Sequence, residues 1–108
     1  MKRAIFILAA LLCGSAHAQF RTGNQLLADM QEPFGYKSGV AMGYVMGATE
    51  AGNGVFFCLP ATVTAGQVND MVKNRLTSTP SIRHFTADII IHTVLEAVWP
   101  CAKKGGGV

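Results

Sequence analysis

The sequence is short of the groups that most enzyme chemistry needs. Its 108 residues hold three histidines, three cysteines and six carboxylates, and none fall at zinc-ligand spacing. It has no paired-carboxylate motif and no glycine-rich phosphate loop following a strand, so nothing argues positively for an enzyme or a cofactor. Charge of one sign is lacking as well. Nine Lys+Arg stand against six Asp+Glu, a net charge of +3. Lys2 and Arg3 supply two of the nine, which leaves seven against six beyond them. A nucleic-acid surface would need a basic stripe or a far larger excess. Apolar runs of about 20 residues, the length that spans a bilayer, are missing too.

What is present begins at the N-terminus. Lys2 and Arg3 precede the apolar run Ala4 to Leu12, and Ala16-His17-Ala18 follows. Basic, apolar, small-x-small is the order of a cleavable secretory signal. The expectation is a leader over 1–18 and a mature chain from Gln19 that works outside the cytoplasm. Cys13 would serve as a lipidation site only with a small residue just before it, and Leu12 stands there. With Cys13 removed, Cys58 and Cys101 remain. Two cysteines in an exported chain read as one disulfide. The closed loop of 44 residues is worth about 4 kcal/mol in the chain-entropy account. That is a large contribution for a 90-residue mature chain, whose core alone is marginal.

The periodicity predicts an all-α fold, a small bundle of about four helices. The first covers Asn24 to Gln31, with Thr22 or Asn24 as cap, Leu26, Leu27 and Met30 inward, and Pro33 as terminator. The second runs from Tyr36 to Ala51 with Val40, Tyr44 and Ala48 as its apolar line. Gly39, Gly43 and Gly47 repeat at the same interval. Each interior glycine costs about 1 kcal/mol against alanine, so the strip suggests close approach by another helix. Gly52-Asn53-Gly54 opens a loop, with Phe56, Phe57 and Leu59 around Cys58. Thr64 and Gln67 form a capping-box pattern ahead of Val68, Met71, Val72 and Leu76. Pro80 stops that helix. Thr86 can cap the last one, whose stripe is Ala87, Ile90, Val94, Leu95 and Val98. Residues 102–108, rich in glycine and lysine, have nothing to bury and should be disordered.

Few residues are candidates for function. Asp88 and His92 sit four apart, and an ion pair on a helix surface is favoured over a catalytic dyad, because no nucleophile accompanies them. Partner binding has better candidates in two loops. Gly52 to Val55 contains Asn53, and Ser78 to Phe85 contains Arg83 and His84. Arginine beside an aromatic is a favoured interface anchor.

One ordered set of segments is more informative. Gly23-Asn24-Gln25-Leu26-Leu27, Gly43-Tyr44-Val45-Met46-Gly47, Phe57-Cys58-Leu59-Pro60, Val63 to Gln67, Pro80 to His84 and Ala97-Val98-Trp99-Pro100-Cys101 follow one another at characteristic spacing. In this order they resemble the Rap/Tai immunity-protein family, over roughly Gly23 to Cys101. The resemblance implies a small helical periplasmic protein, occupying 19–101, that binds and blocks a peptidoglycan amidase effector delivered by type VI secretion. It implies a cognate effector as partner, with a homodimer as a further option. It also places Met30 and Met42 where relatives carry a second cysteine pair, which leaves Cys58 and Cys101 as the staple. The alternative reading is a small helical periplasmic stress chaperone. Six carboxylates and two mature histidines are a thin supply for an acid-driven switch, so that reading ranks second.

Overall fold

The computed structural model describes residues 20–33 and 35–102. The leader read at 1–18 lies outside the described residues. Of the tail assigned to 102–108 only Ala102 is described, and it is exposed.

Four α-helices carry the described chain: α1 (Gly23–Met30), α2 (Tyr36–Gly52), α3 (Ala65–Ser78) and α4 (Ala87–Val98). A 3-10 turn, Pro80–Ile82, lies between the last two. The only strand-like pairings among the described residues are two isolated bridges, Thr22 with Thr86 and Asn53 with Phe57. The all-α bundle expected from periodicity is therefore what forms.

Two helix starts are set by capping boxes. At α1, the Thr22 hydroxyl accepts from the Gln25 N–H at 3.3 Å, and the Gln25 side chain accepts from the Thr22 N–H at 3.0 Å. Thr64 and Gln67 repeat the arrangement at α3, at 3.2 and 2.9 Å. Each satisfies two N–H groups that a helix start would otherwise leave unpaired. Thr86 departs from expectation: it stands at the start of α4 but makes no side-chain cap bond. Its segment is held by backbone bonds instead. The Ala87 N–H donates to the Arg21 carbonyl at 2.7 Å and the Gly23 N–H to the Phe85 carbonyl at 3.0 Å. The start of α4 is thus pinned to the start of α1.

Each helix packs against the other three. The core consists of Leu26, Leu27 and Met30 from α1, Ala41 and Val45 from α2, Val68, Val72 and Leu76 from α3, and Ala87, Ile90, Ile91 and Leu95 from α4. Phe57, from the loop after α2, is fully buried among them. Thr49 is the one buried polar residue among those described, and its hydroxyl donates to the Val45 carbonyl at 2.7 Å. That bond removes the penalty of burying it.

Two faces are oriented differently from the sequence reading. On α2 the inward line is Ala41, Val45, Thr49 and Gly52, with Val40, Tyr44 and Ala48 half-buried beside it. Gly39, Gly43 and Gly47 are exposed, and a Cβ added at any of them would meet nothing within 4 Å. The strip does not receive another helix of the chain. Each of these glycines precedes an inward residue by two positions, about 200° around the helix, and so points to solvent. On α4, Ile91 is buried, Val94 is half-buried and Val98 is 52% exposed. The buried line Ala87, Ile90/Ile91 and Leu95 faces the bundle, and the helix carries a second apolar face outward. Met30 lies in the core, and Met42 is half-buried on α2.

The expected disulfide is formed. Cys58 and Cys101 are bonded, with Cα atoms 4.8 Å apart. Beside it the Cys58 N–H donates to the Trp99 carbonyl at 2.9 Å. Together these tie the chain after the α2 loop to the end of α4.

Candidate partner-binding surface

Arg83 is held by the fold. Its Nε donates to the Leu76 carbonyl at 2.6 Å and its Nη2 to the Thr77 carbonyl at 2.9 Å. These are end carbonyls of α3, which lack partners within the helix, and a cation there also complements the negative end of the dipole. The Arg83 carbonyl accepts from the Asn24 N–H at 2.9 Å. One residue thereby joins the end of α3 to the start of α1. His84 is exposed, with its ring 4.1 Å from that of Phe85. Asn53 is exposed, and its Oδ1 accepts from the Leu59 N–H at 2.9 Å, which closes the α2–α3 loop.

The three candidates do not share a segment or a bonding partner. Arg83 and His84 lie ahead of the first turn of α4, against the end of α3 and the start of α1. Asn53 belongs to the loop that leads to Cys58 and so to the far end of α4.

Asp88 and His92 form no ion pair. The His92 ring stacks on Phe56, with centroids 4.6 Å apart and planes 23° apart, and it meets Phe57 at 5.8 Å. Its Nε2 is buried with no hydrogen-bond partner among the described residues. A Cβ added at Gly52 would lie 3.0 Å from that nitrogen and 2.7 Å from the Phe57 ring. Loop packing, rather than charge pairing, therefore holds the imidazole. Asp88 is instead close to Tyr44. Burial pushes the Tyr44 phenol above its ordinary value of 10.0, and the Asp88 charge adds to this. The Asp88 backbone N–H and the Arg21 charge oppose it. Arg21 pairs with Asp29 and lies 5.8 Å from the centre of the Tyr44 ring. Burial and the Asp88 charge together favour the neutral phenol. Among the described residues no group of His, Cys, Asp and Glu could hold a metal ion.

Sequence reasoning missed the side chains that the loop displays. The apolar residues around Cys58 do not share one fate. Phe57 is fully buried, whereas Phe56 is 52% exposed and Val55 is 70% exposed. The available signal was the tightness of Gly52-Asn53-Gly54: so short a turn cannot send every following apolar residue inward. A second exposed apolar region lies along α4, with Phe85, Ile89 and Val98 each about half exposed. Arg75, Ile82, Phe85, Ile89, Ile90, Thr93 and Val94 line a groove of about 180 Å³ there. No helix among the described residues is long and apolar enough to cross a membrane.

Comparison with known families places this geometry. Residues 22–101 match the Rap1a immunity proteins. The match starts at the Thr22 cap of α1 and ends at the second disulfide cysteine. No curated protein matches the chain.

Proposed function

The chain belongs to the Rap1a immunity protein family, and we propose on that premise that it is a periplasmic protein that binds and blocks a secreted peptidoglycan amidase effector of type VI secretion. The observation that carries this reading is the family match across the whole helical body, from the first cap to the disulfide. Family membership points to a binding role rather than to turnover. Blocking an enzyme by binding requires no chemistry on the inhibitor, only a surface whose shape is set before the encounter, because a rigid surface loses little entropy on binding. The bundle supplies such a scaffold: a core drawn from all four helices, two capping boxes and a disulfide. Export is supported by the basic-apolar-small pattern of residues 2–18. It is also supported by the disulfide, a bond that persists in oxidising compartments.

Co-expression tests the reading. An amidase-type effector encoded beside this chain, directed to the periplasm, should lyse cells. The full-length chain should restore growth, and a variant lacking residues 2–18 should not. If the full-length chain gives no protection and the purified proteins do not bind, the immunity reading falls. The small periplasmic chaperone then becomes the reading to test.

A further inference from the structure

We propose that the tip of the α2–α3 loop, Val55 with Phe56, is the apolar anchor by which this chain grips its effector, and that it fits a concave, uncharged, apolar pocket on that partner. The proposal rests on the effector-binding reading and adds the residues and the contact chemistry.

The first observation is exposure without mobility. Val55 and Phe56 are 70% and 52% exposed, yet the turn beneath them is closed by backbone bonds at every step. The Gly54 N–H donates to the Phe57 carbonyl at 2.7 Å. The Val55 and Phe56 N–H groups both donate to the Gly52 carbonyl, at 3.0 and 2.9 Å. Gly54 adopts φ of 83°, a conformation that favours glycine. Asn53 fastens the far side through Leu59, Phe57 is sunk in the core, and the disulfide follows at Cys58. None of these bonds uses the side chains of Val55 or Phe56.

The second observation is that the Phe56 ring is already placed. It stacks on His92 at 4.6 Å. One ring face is covered by the imidazole while half of the side chain stays open. A ring held in one orientation forfeits little rotamer entropy when a partner covers the rest. Phenylalanine is among the aromatic residues enriched at the buried centres of interfaces.

The third observation is the surrounding chemistry. From Ala51 to Asn69 the chain has no Asp, Glu, Lys, Arg or His, although most of Asn53 to Gln67 is exposed. Exposed loops usually carry charge, and the buried centres of interfaces are depleted of it. The loop itself brings no ion to strand when Val55 and Phe56 are desolvated; the titratable ring that packs on them is His92, stacked on Phe56. The partner pocket is therefore apolar, and affinity should depend weakly on salt. The α4 groove has exposed apolar residues but no comparable pinned projection, so it serves as the comparison surface.

The test uses the full-length protein exported to the periplasm and the purified amidase effector encoded beside it. Val55→Ser, Phe56→Ser, the double variant and the α4 control Ile89→Ser are checked for helical content and a closed disulfide, then titrated calorimetrically. Phe56→Ser should weaken binding by about 30-fold or more, the size of an interface hot spot. The double variant should weaken it further, and Ile89→Ser should stay within about 3-fold of wild type. A photo-reactive benzoylphenylalanine at position 55 should crosslink to the effector, and one at position 89 should not; this arm needs no folded serine variant. A double variant that binds like wild type, or a crosslink only from position 89, overturns the loop assignment and leaves the effector-binding reading standing. A double variant that loses only self-association, with effector affinity unchanged, assigns the tip to a second copy of this chain and also overturns the proposal. A wild-type chain that does not bind the effector removes both.

Discussion

Alanine substitutions at Gly43 and Gly52 should shift stability in opposite directions. Both residues lie in α2, and on helix propensity alone alanine would stabilise either position. At Gly43 nothing stands within 4 Å of the added methyl, and the position is solvent-facing in mid-helix. The propensity gain of about 0.5–1 kcal/mol should be realised nearly in full. At Gly52 the methyl would lie 2.7 Å from the Phe57 ring and 3.0 Å from His92 Nε2. Phe57 is fully buried and precedes a disulfide cysteine, so it has little room to retreat. Overpacking of this kind costs about 1–3 kcal/mol. Gly52 is also the last residue of α2, where the propensity gain is smallest. The net expectation at Gly52 is a loss of about 1–2 kcal/mol. In a domain of this size each kcal/mol moves Tm by about 4–8 °C. Thermal unfolding followed by circular dichroism, with the disulfide intact, should therefore place the two variants on either side of wild type. A destabilised Gly43→Ala would mean that the strip is covered in solution, and a neutral Gly52→Ala would mean that Phe57 is not seated as described.

Four other outcomes follow from the same structure. Leu76→Ala and Ile90→Ala remove fully or almost fully buried side chains and should each cost about 2–5 kcal/mol in chemical denaturation. Cys101→Ser opens the 44-residue loop and should cost about 4 kcal/mol, whereas mass spectrometry that finds both thiols free in periplasmic protein would refute the bond. Arg83→Ala leaves the Leu76 and Thr77 carbonyls without their donor and should cost about 1–3 kcal/mol; effector affinity measured on the folded fraction should change little, and a large loss there would restore Arg83 as a contact residue. The raised Tyr44 pKa has a definite sign: the unfolded chain releases this proton first, so stability is level below about pH 10 and falls as pH rises past it. Tyr44→Phe should flatten that alkaline slope, and an unchanged slope would show that other groups cause it.

Much of the fold was legible one residue at a time. Both capping boxes are local patterns, because a threonine and a glutamine three residues apart can satisfy each other's backbone without help from the rest of the chain. The helix breaks at Pro33, Gly54 and Pro80 were legible for similar reasons, and the pairing of Cys58 with Cys101 by count, because only two cysteines remain beyond the expected leader. So was the family, which is carried by short segments in a fixed order. The faces of α2 and α4 were less legible. Val40-Tyr44-Ala48 and Ala41-Val45-Thr49 differ by one position, a rotation of about 100°, and both lines pass as apolar. Ile89, Ile90 and Ile91 likewise offer α4 two apolar sides. Which side turns inward depends on what the other three helices present, and that is settled only when they pack. The same holds for the surface residues. Arg83 reads as an interface anchor until the end of α3 stands beside it, and Asp88 with His92 reads as a pair until Phe56 and Phe57 take the imidazole. The sequence by itself determined where α1 and α3 start, since a capping box depends on neighbours along the chain, and which cysteines are joined, since only Cys58 and Cys101 remain beyond the expected leader. The inward face of each helix, the work of Arg83 and the exposure of Val55 and Phe56 were decided by tertiary structure, because they depend on neighbours that only folding brings together.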